Sequence, residues 1–404
     1  SGLFLLAMPS ESMFKLGLAT VIVGNGLFKP IISTLVGKIY AQSDDRRDSG
    51  FTIFYMGINM GALLAPLVTQ YLAKKIFGIE GMPAYKIVFI AAGIGMLISL
   101  VWFWFGRRQL QGVGLPAPHQ TGMRNVSLVL LGGVLIGVPV FYTLLTIDAT
   151  ILQYVLMALF VIPAVMLFRE GVREGAVPRD KVLAMLTIFV FNVLFWMFFE
   201  QAGSSFNFLA EKIVNRDIGM VGMFNALAGT NDFPVSWFQS VNSVAIIILA
   251  PILAWLWVRM GKNNPTIPRK FGLGLIFNGL AFLLLMVALK NMVDDAGKIP
   301  FWTLFMVYVI QSVGELCLSP IGLSMTTKLA PAKLTGFAMG AWFLSIAIGN
   351  NLAGIFAGKV SGEAGMTVES AHAGYTFGFY ALVGAGVALF LIAPLIQRWM
   401  HGVK

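Results

Sequence analysis

The stretch VFNVLFWMFFEQAGSSF, residues 190–206, is apolar and aromatic almost throughout, yet it carries Glu200 next to Gln201. A run of this kind is typical of a helix that crosses a bilayer of about 30 Å. A charged side chain in the middle of a membrane costs about 2.5–3.5 kcal/mol on insertion scales, so such residues are rare and mark functional sites. The stretch therefore predicts a membrane helix with a functional acidic group.

The composition of the whole chain also indicates a membrane protein. Of its 404 residues, 58% are hydrophobic and 11% are charged, and its mean hydropathy is +0.83. A soluble globular protein with a polar surface hardly reaches such values. The sequence shows no series of short alternating strands, so we predict an all-α integral membrane protein. Its eleven predicted spans lie at about residues 13–40, 51–73, 85–106, 126–144, 147–168, 182–209, 235–259, 271–291, 300–328, 335–358 and 374–400.

Lys and Arg residues lie mainly in the gaps between these apolar runs. The formal net charge is +10, but a nucleic-acid-binding protein would gather its basic residues on one solvated face. Alternate gaps instead differ about twofold in Lys and Arg content, which is the pattern that orients membrane proteins with the richer gaps in the cytoplasm. We therefore expect the lipid bilayer as a partner and no nucleic acid.

The gaps divide the chain into three predicted regions. Residues 1–106 form an incomplete N-terminal bundle, and residues 107–180 hold two spans that resemble an inserted hairpin with linkers. Residues 181–404 hold six spans, the size of one half of a transporter built from two six-helix bundles. The chain opens on the apolar run SGLFLLAMP without an initiator Met, so we expect that N-terminal helices are missing.

Ionisable residues inside the spans recur with other polar residues at a spacing of four, which places them on one helix face. The ionisable stripes are Asn25, Lys29 and Ser33; Asn192, Trp196, Glu200 and Ser204; and Gln311, Glu315 and Ser319. Uncharged polar faces are formed by Tyr55 with Asn59, by Gln239 with Asn242 and Ser243, and by Trp342 with Ser345. In lipid these groups would lack hydrogen-bond partners, so we expect the faces to converge on one lumen.

The three intramembrane ions, Lys29, Glu200 and Glu315, allow two interpretations. A Lys–Glu pair could simply hold two helices together, but two acids and one base leave one acid over. Burial disfavours the charged form of such an acid, so the group can bind a proton from one side of the membrane and release it to the other. A lumen with one cation and a titratable acid suits a zwitterion whose carboxylate faces Lys29 and whose ammonium faces a Glu.

Pairs of glycines at a spacing of four favour close helix packing, although glycine-rich helices also suit sliding motion. These pairs are Gly57 with Gly61, Gly336 with Gly340, and Gly354 with Gly358. Enzyme signatures, by contrast, are missing: the 3 histidines lie near predicted span ends, and no HExxH, GxSxG or P-loop pattern occurs. We therefore expect a protein without catalytic residues, metal or cofactor, and transport coupled to an ion gradient.

Five motifs resemble the proton-dependent oligopeptide transporter family: GNGLFKP (24–30), FTIFYMGINMGAL (51–63), FWMFFEQAGSS (195–205), SWFQSVN (236–242) and GELCLSPIGLSM (314–325). The resemblance implies a major facilitator fold of two helical bundles with the extra helix pair of bacterial members, here without helices 1, 2 and most of 3. It also implies a multi-pass protein of the bacterial inner membrane. Such a protein imports di- and tripeptides together with protons.

The resemblance implies roles for single residues. Lys29 matches a lysine implicated in coupling and in holding the peptide carboxylate, and Glu200 matches a glutamate proposed to take a proton. Glu315 matches the glutamate that meets the peptide amino group. Asn59 and Asn242 match amides that bind the peptide backbone. Trp342 and Phe343 resemble the aromatic walls of the pocket. The substrate-binding set implied in this way is Lys29, Asn59, Asn242, Glu315, Ser319, Trp342 and Phe343.

The chain also departs from the family pattern. The ExxER motif of the family's first helix is absent, and its arginine is the expected partner of Glu200. Ile31 and Ser243 replace an asparagine and a proline of the common motifs. Two alternatives stay open: a transporter of the same fold for another small anion or zwitterion, and a non-transporting membrane sensor. Competition by dialanine would identify the first, and the convergence of ions on three helices argues against the second.

Overall fold

The computed structural model describes residues 1–39, 46–78, 84–110, 112–114, 123–362 and 365–403. Over these residues the chain is mainly helical, as predicted, and each predicted span falls on one helix or on two successive helices. Nine helical segments of the described chain are long and apolar enough to cross a membrane. The protein is therefore a multi-pass membrane protein.

The described residues form fifteen α-helices. In chain order they are α1 Gly2–Leu6, α2 Glu11–Ile39, α3 Arg46–Gln70, α4 Tyr85–Gly106, α5 Met123–Leu144, α6 Ala149–Glu174, α7 Ala176–Phe199, α8 Ser205–Lys212, α9 Val221–Ala228, α10 Trp237–Met260, α11 Ile267–Asn291, α12 Phe301–Leu316, α13 Ser319–Leu329, α14 Thr335–Ser361 and α15 Val368–Trp399. A π-helical turn continues α3, and a 3₁₀ turn joins α7 to α8.

The first of two compact units comprises residues Ser1–Gly50 and Val68–Asp148. In this unit α1 packs on α2 where two glycines meet. A Cβ atom on Gly2 would lie 2.8 Å from the carbonyl oxygen of Gly17, so only glycine permits this approach. Lys29 lies on α2, and its side chain is exposed.

The second compact unit comprises residues Phe51–Leu67 and Ala149–Lys404. Its core is rich in phenylalanine, and its helices approach each other closely at glycines. Between α11 and α12, for example, a Cβ atom on Gly274 would lie 2.9 Å from the carbonyl oxygen of Gly314. The predicted boundaries of the two bundles and of the inserted helix pair stay predictions.

The described part of the chain places no helix against the glycine pairs at a spacing of four, so their predicted packing stays a prediction. A Cβ atom at any of these six glycines would meet no described atom within 4 Å. Close contacts occur at other glycines, such as Gly322 against the ring of Trp342 and Gly349 against Trp196. The spacing identifies small residues on one helix face, but it does not show whether another helix covers that face.

Two long spans are interrupted next to the predicted acidic residues. α7 gives way to the 3₁₀ turn Glu200–Gly203 before α8 begins. α12 stops one residue after Glu315, and Pro320 lies at the start of α13, where its missing N–H costs no intrahelical hydrogen bond. Helix ends carry backbone groups without intrahelical partners and a partial charge. Both acids are thus placed where the backbone is irregular and polar.

Candidate functional site

The carboxylate of Glu315 is held by side chains from two neighbouring helices. Glu315 is only 6% exposed. Its Oε1 accepts a hydrogen bond from the Tyr55 hydroxyl on α3, and its Oε2 accepts one from Asn242 Nδ2 on α10 at 3.0 Å. Hydrogen bonds to an ionised acceptor are stronger than neutral ones. We call Tyr55, Asn242 and Glu315 the carboxylate clamp.

Further polar contacts hold the members of the clamp in place. Asn242 Nδ2 also donates to Ser312 Oγ at 2.9 Å, which ties α10 to α12. Asn59 is buried and donates from Nδ2 to the Tyr55 carbonyl at 3.0 Å. Tyr55 thus belongs to the clamp, whereas Asn59 bonds to the backbone of its own helix, and its contact with substrate stays a prediction. Ser319, also buried, follows Glu315 after the helix break.

A cavity of about 340 Å³ lies beside the carboxylate clamp. Asn242 belongs to both the clamp and the cavity wall. Glu200 lines the cavity as well, and it is close enough to Glu315 for the two carboxylates to interact electrostatically. Helices α10 and α12 thus bring together two polar faces that the sequence predicted separately. The polar lining residues are Glu200, Gln239, Asn242, Ser243, Tyr308 and Gln311.

The predicted stripe around Glu200 does not form one face. Asn192 is fully buried and donates from Nδ2 to Ser345 Oγ on α14 at 2.8 Å, while its Oδ1 accepts from Trp196 Nε1 at 3.0 Å. The prediction that Asn192 shares a lumen-facing stripe with Glu200 is wrong. Four residues turn an α-helix about 40° past a full turn. Asn192 and Glu200 are eight residues apart, so their side chains would point in directions that differ by about 80°.

Gln201 has a different function from its neighbour Glu200. Its side chain is fully buried, and Nε2 donates to the Ala353 carbonyl on α14 at 3.2 Å. Its Oε1 accepts a hydrogen bond from Ser205 Oγ at 2.7 Å, at the start of α8. Gln201 therefore links α7, α8 and α14. The two adjacent polar residues in the aromatic run thus have different roles. Glu200 lines the cavity, and Gln201 cross-links helices.

The aromatic residues assigned to the pocket wall lie elsewhere in this conformation. Trp342 is 1% exposed and packs against Phe189, with a ring-centroid distance of 5.4 Å, and against Phe271 at 6.2 Å. Phe343 is half-buried. Neither Trp342 nor Phe343 is among the described residues that line the cavity. Their contact with substrate stays a prediction.

The structure also reveals a buried amide that the sequence analysis missed. Asn278 on α11 is fully buried and accepts a hydrogen bond from Gln311 Nε2 at 2.8 Å. Its own Nδ2 donates to the Phe195 carbonyl at 3.2 Å, so it connects α7, α11 and α12 behind the cavity. A lone asparagine in the apolar run LIFNGLAF was the signal that could have identified it.

Lys29 belongs to the first compact unit, whereas the carboxylate clamp and the cavity belong to the second. Its predicted contact with a ligand carboxylate therefore stays a prediction. Among the described residues, no group of three or more His, Cys, Asp or Glu side chains could hold a metal ion.

Comparison with known proteins adds a family context to this geometry. The family model described as the POT family matches residues 2–368. Peptide transporter YePEPT of Yersinia enterocolitica is 33% identical over 420 residues, which cover 99% of this chain and 78% of that protein. Dipeptide and tripeptide permease B of Photorhabdus luminescens is 31% identical over 408 residues, with coverage of 98% and 79%.

Solved structures are similar over the same extent. The crystal structure of peptide transporter POT in complex with sulfate matches with a TM-score of 0.76 at 34% identity and covers 99% of this chain and 79% of that one. A POT family transporter in complex with 5-aminolevulinic acid matches with a TM-score of 0.75 at 26% identity, with coverage of 98% and 79%.

Proposed function

Because the chain belongs to the POT family, we propose that it is a proton-coupled symporter that imports di- and tripeptides by alternating access. The observation that supports this function best is the carboxylate clamp beside a cavity that Glu200 lines. A peptide brings an ammonium group, and a buried carboxylate is the acceptor that such a group needs. We place the protein in the bacterial inner membrane, where a proton gradient drives import.

Glu315 receives the peptide amino group. A carboxylate offers about four lone-pair sites, and the clamp uses two of them. An ammonium group can therefore bind Glu315 while Tyr55 and Asn242 keep it oriented. Asn59 and Asn242 bind the peptide backbone, and Lys29 binds the carboxylate at the other end of the peptide.

Ser319, Trp342 and Phe343 complete the proposed substrate set. Ser319 supplies a hydroxyl close in sequence to Glu315, just beyond the helix break. The two aromatic residues lie on α14. They reach the substrate in a conformation in which α14 has moved relative to the cavity.

Glu200 is the proton site of the proposed cycle. A deprotonated carboxylate is charged, and binding a proton removes the charge on which an ionic contact depends. That contact holds the conformation that is open to the outside, so its loss allows the protein to leave this conformation. A peptide bound between Lys29 and Glu315 then favours closure. Its carboxylate and ammonium groups pair with these two side chains, which closure would otherwise bury without a partner of opposite charge.

Uptake of labelled dialanine into liposomes tests this function. The protein is reconstituted, and uptake is compared with an inward proton gradient, without one, and with the gradient collapsed by a proton ionophore. Accumulation that needs the gradient and is blocked by excess unlabelled dialanine supports the peptide symporter. If folded protein takes up no dialanine, a transporter of another zwitterion or a sensor becomes the better interpretation.

A further inference from the structure

The wall of the cavity contains a glutamine on α12 that the proposed substrate set does not include. Gln311 is almost fully buried, and it lines the cavity. It lies four residues before Glu315, one turn away on the same face of α12. The two side chains are therefore neighbours along the helix that, in the function proposed above, receives the peptide amino group.

A buried chain of hydrogen bonds fixes the direction of the Gln311 amide. The chain begins at the Phe195 carbonyl, which can only accept, so the Asn278 group that bonds to it at 3.2 Å is the donor Nδ2. Asn278 must then turn its oxygen, Oδ1, towards Gln311, and this oxygen requires a donor. Gln311 therefore turns Nε2 towards Asn278, at 2.8 Å. The carbonyl oxygen, Oε1, is the end of the Gln311 amide that remains for the cavity.

Gln311 Oε1 is an acceptor that the described part of the protein leaves to a ligand. No described residue donates a hydrogen bond to this atom, and it is not sealed off from the cavity. Neighbouring donors in the cavity wall already have acceptors: the Tyr308 hydroxyl donates to the Ala202 carbonyl at 3.1 Å, and Asn242 Nδ2 donates to two side-chain oxygens of α12. A ligand N–H would satisfy Oε1.

The spacing of Gln311 and Glu315 matches two nitrogens of a short peptide. In a peptide backbone the nitrogen of the first peptide bond lies about 3–4 Å from the amino nitrogen. Side chains four residues apart on a helix leave the backbone about 5–6 Å from each other, so the pair is spaced to bind two such nitrogens. We propose that Gln311 Oε1 accepts the N–H of the first peptide bond while Glu315 binds the amino group. Asn278 is the positioning residue that holds the Gln311 amide in this direction.

This contact makes Gln311 a residue that determines substrate specificity, and it rests on the proposed function, in which Glu315 receives the amino group. A peptide with proline as its second residue lacks the N–H of the first peptide bond. A depsipeptide, in which an ester oxygen replaces that N–H, lacks it as well. Both ligands leave Oε1 without a donor, and the ester oxygen places a second acceptor opposite it. The cavity therefore selects against such ligands.

A matched pair of ligands tests the contact in the purified full chain. Isothermal titration calorimetry gives the dissociation constants of dialanine and of alanyl-lactate, which differ only in that an ester oxygen replaces the peptide N–H. We expect dialanine to bind more tightly, and we expect this preference to be about fivefold smaller in Gln311→Leu, which loses the acceptor of one hydrogen bond. Gln109→Leu is the control and should keep the full preference, because Gln109 is exposed and does not line the cavity.

Asn278→Leu tests the positioning role. Asn278 does not line the cavity, but without its Oδ1 the Gln311 amide can turn either end towards the ligand, so the preference for dialanine should fall here too. A purely structural role would weaken the binding of both ligands equally and keep the preference. If a single variant does not fold, the double variant Asn278→Leu/Gln311→Leu replaces both partners of the buried hydrogen bond by apolar groups, which costs little stability. It should also lose the preference.

Two results would overturn the proposal. An unchanged preference in folded Gln311→Leu, or in the double variant, would exclude the contact with the peptide N–H. Equal weakening of both ligands by Asn278→Leu would exclude the positioning role. Gradient-driven uptake of dialanine by the unmodified protein separates these failures from a failure of the proposed function: with uptake present, only the Gln311 contact fails. If the unmodified protein neither binds nor takes up dialanine, both proposals fail.

Discussion

The Tyr55 hydroxyl donates a hydrogen bond to Oε1 of Glu315, and this contact joins α3 to α12 at the carboxylate that we assign to the peptide amino group. The other oxygen of Glu315 is bound by Asn242 on α10. Three membrane helices therefore meet at one acidic side chain. A ligand that binds this carboxylate acts on all three helices, which gives substrate binding a direct connection to helix movement.

Glu315→Gln should weaken the binding of free dipeptides more than that of N-terminally blocked ones. The substitution removes the charge that binds an ammonium group, and a hydrogen bond to a charged group contributes about 1.5–3 kcal/mol. We expect dialanine affinity to fall by about 10- to 100-fold. N-acetyl-dialanine, which has no ammonium group, should be affected much less. Inhibition of labelled peptide uptake by each compound gives the two affinities.

Glu211→Gln on α8 is the control for this prediction, because Glu211 is exposed. It should leave both affinities unchanged. If Glu315→Gln reduces the affinity for the free and the blocked dipeptide equally, Glu315 does not contact the amino group.

Glu200→Gln should abolish gradient-driven uptake and leave peptide exchange largely intact. Glutamine cannot bind and release a proton, but it keeps the size and polarity of the side chain that lines the cavity. Liposomes loaded with unlabelled dialanine measure exchange, and empty liposomes with an inward proton gradient measure accumulation. Glu211→Gln should perform as the unmodified protein does in both assays. Normal accumulation by Glu200→Gln would exclude Glu200 as the essential proton site.

Tyr55→Phe should destabilise the protein by about 1–3 kcal/mol, because it removes one donor from the buried carboxylate of Glu315. The thermal midpoint of the purified protein in detergent should fall. Tyr380→Phe provides the control, since Tyr380 is exposed and the same hydroxyl is lost. In a double-mutant cycle, Tyr55→Phe should cost less when Glu315 is already Gln. Equal costs in both backgrounds would mean that the Tyr55 hydroxyl contributes nothing through Glu315.

Gly322→Ala should destabilise the protein by about 1–3 kcal/mol through overpacking. A Cβ atom at this position would overlap with the ring of the buried Trp342. Gly340→Ala is the matched control, because a Cβ atom there meets no described atom within 4 Å, and alanine favours a helix by up to about 1 kcal/mol. Thermal unfolding should therefore show a lower midpoint for the first variant and an equal or higher one for the second. The reverse order would contradict the packing at Gly322.

The sequence alone was sufficient to predict most of the polar residues around the cavity of the second unit, but it missed Asn278 and did not show how these residues pair. Helical spacing placed Gln239 and Asn242 on one face and Gln311 on another, and the structure brings these faces to one cavity. The same spacing failed for Asn192, whose partner is Ser345, 153 positions later in the chain. Periodicity indicates which side of a helix is polar; the neighbouring helix decides whether that side faces a cavity or is packed.

Composition, apolar run length and motif by themselves determined that this chain is a helical membrane transporter of a known family, because the bilayer restricts spanning segments to a fixed length and to internally satisfied backbone. Only the tertiary structure decided that Tyr55 and Asn242 hold Glu315 and that Gln201 cross-links helices while Glu200 lines the cavity. These pairings depend on contacts between helices far apart in sequence. Such contacts are set by side-chain packing, which no local pattern encodes.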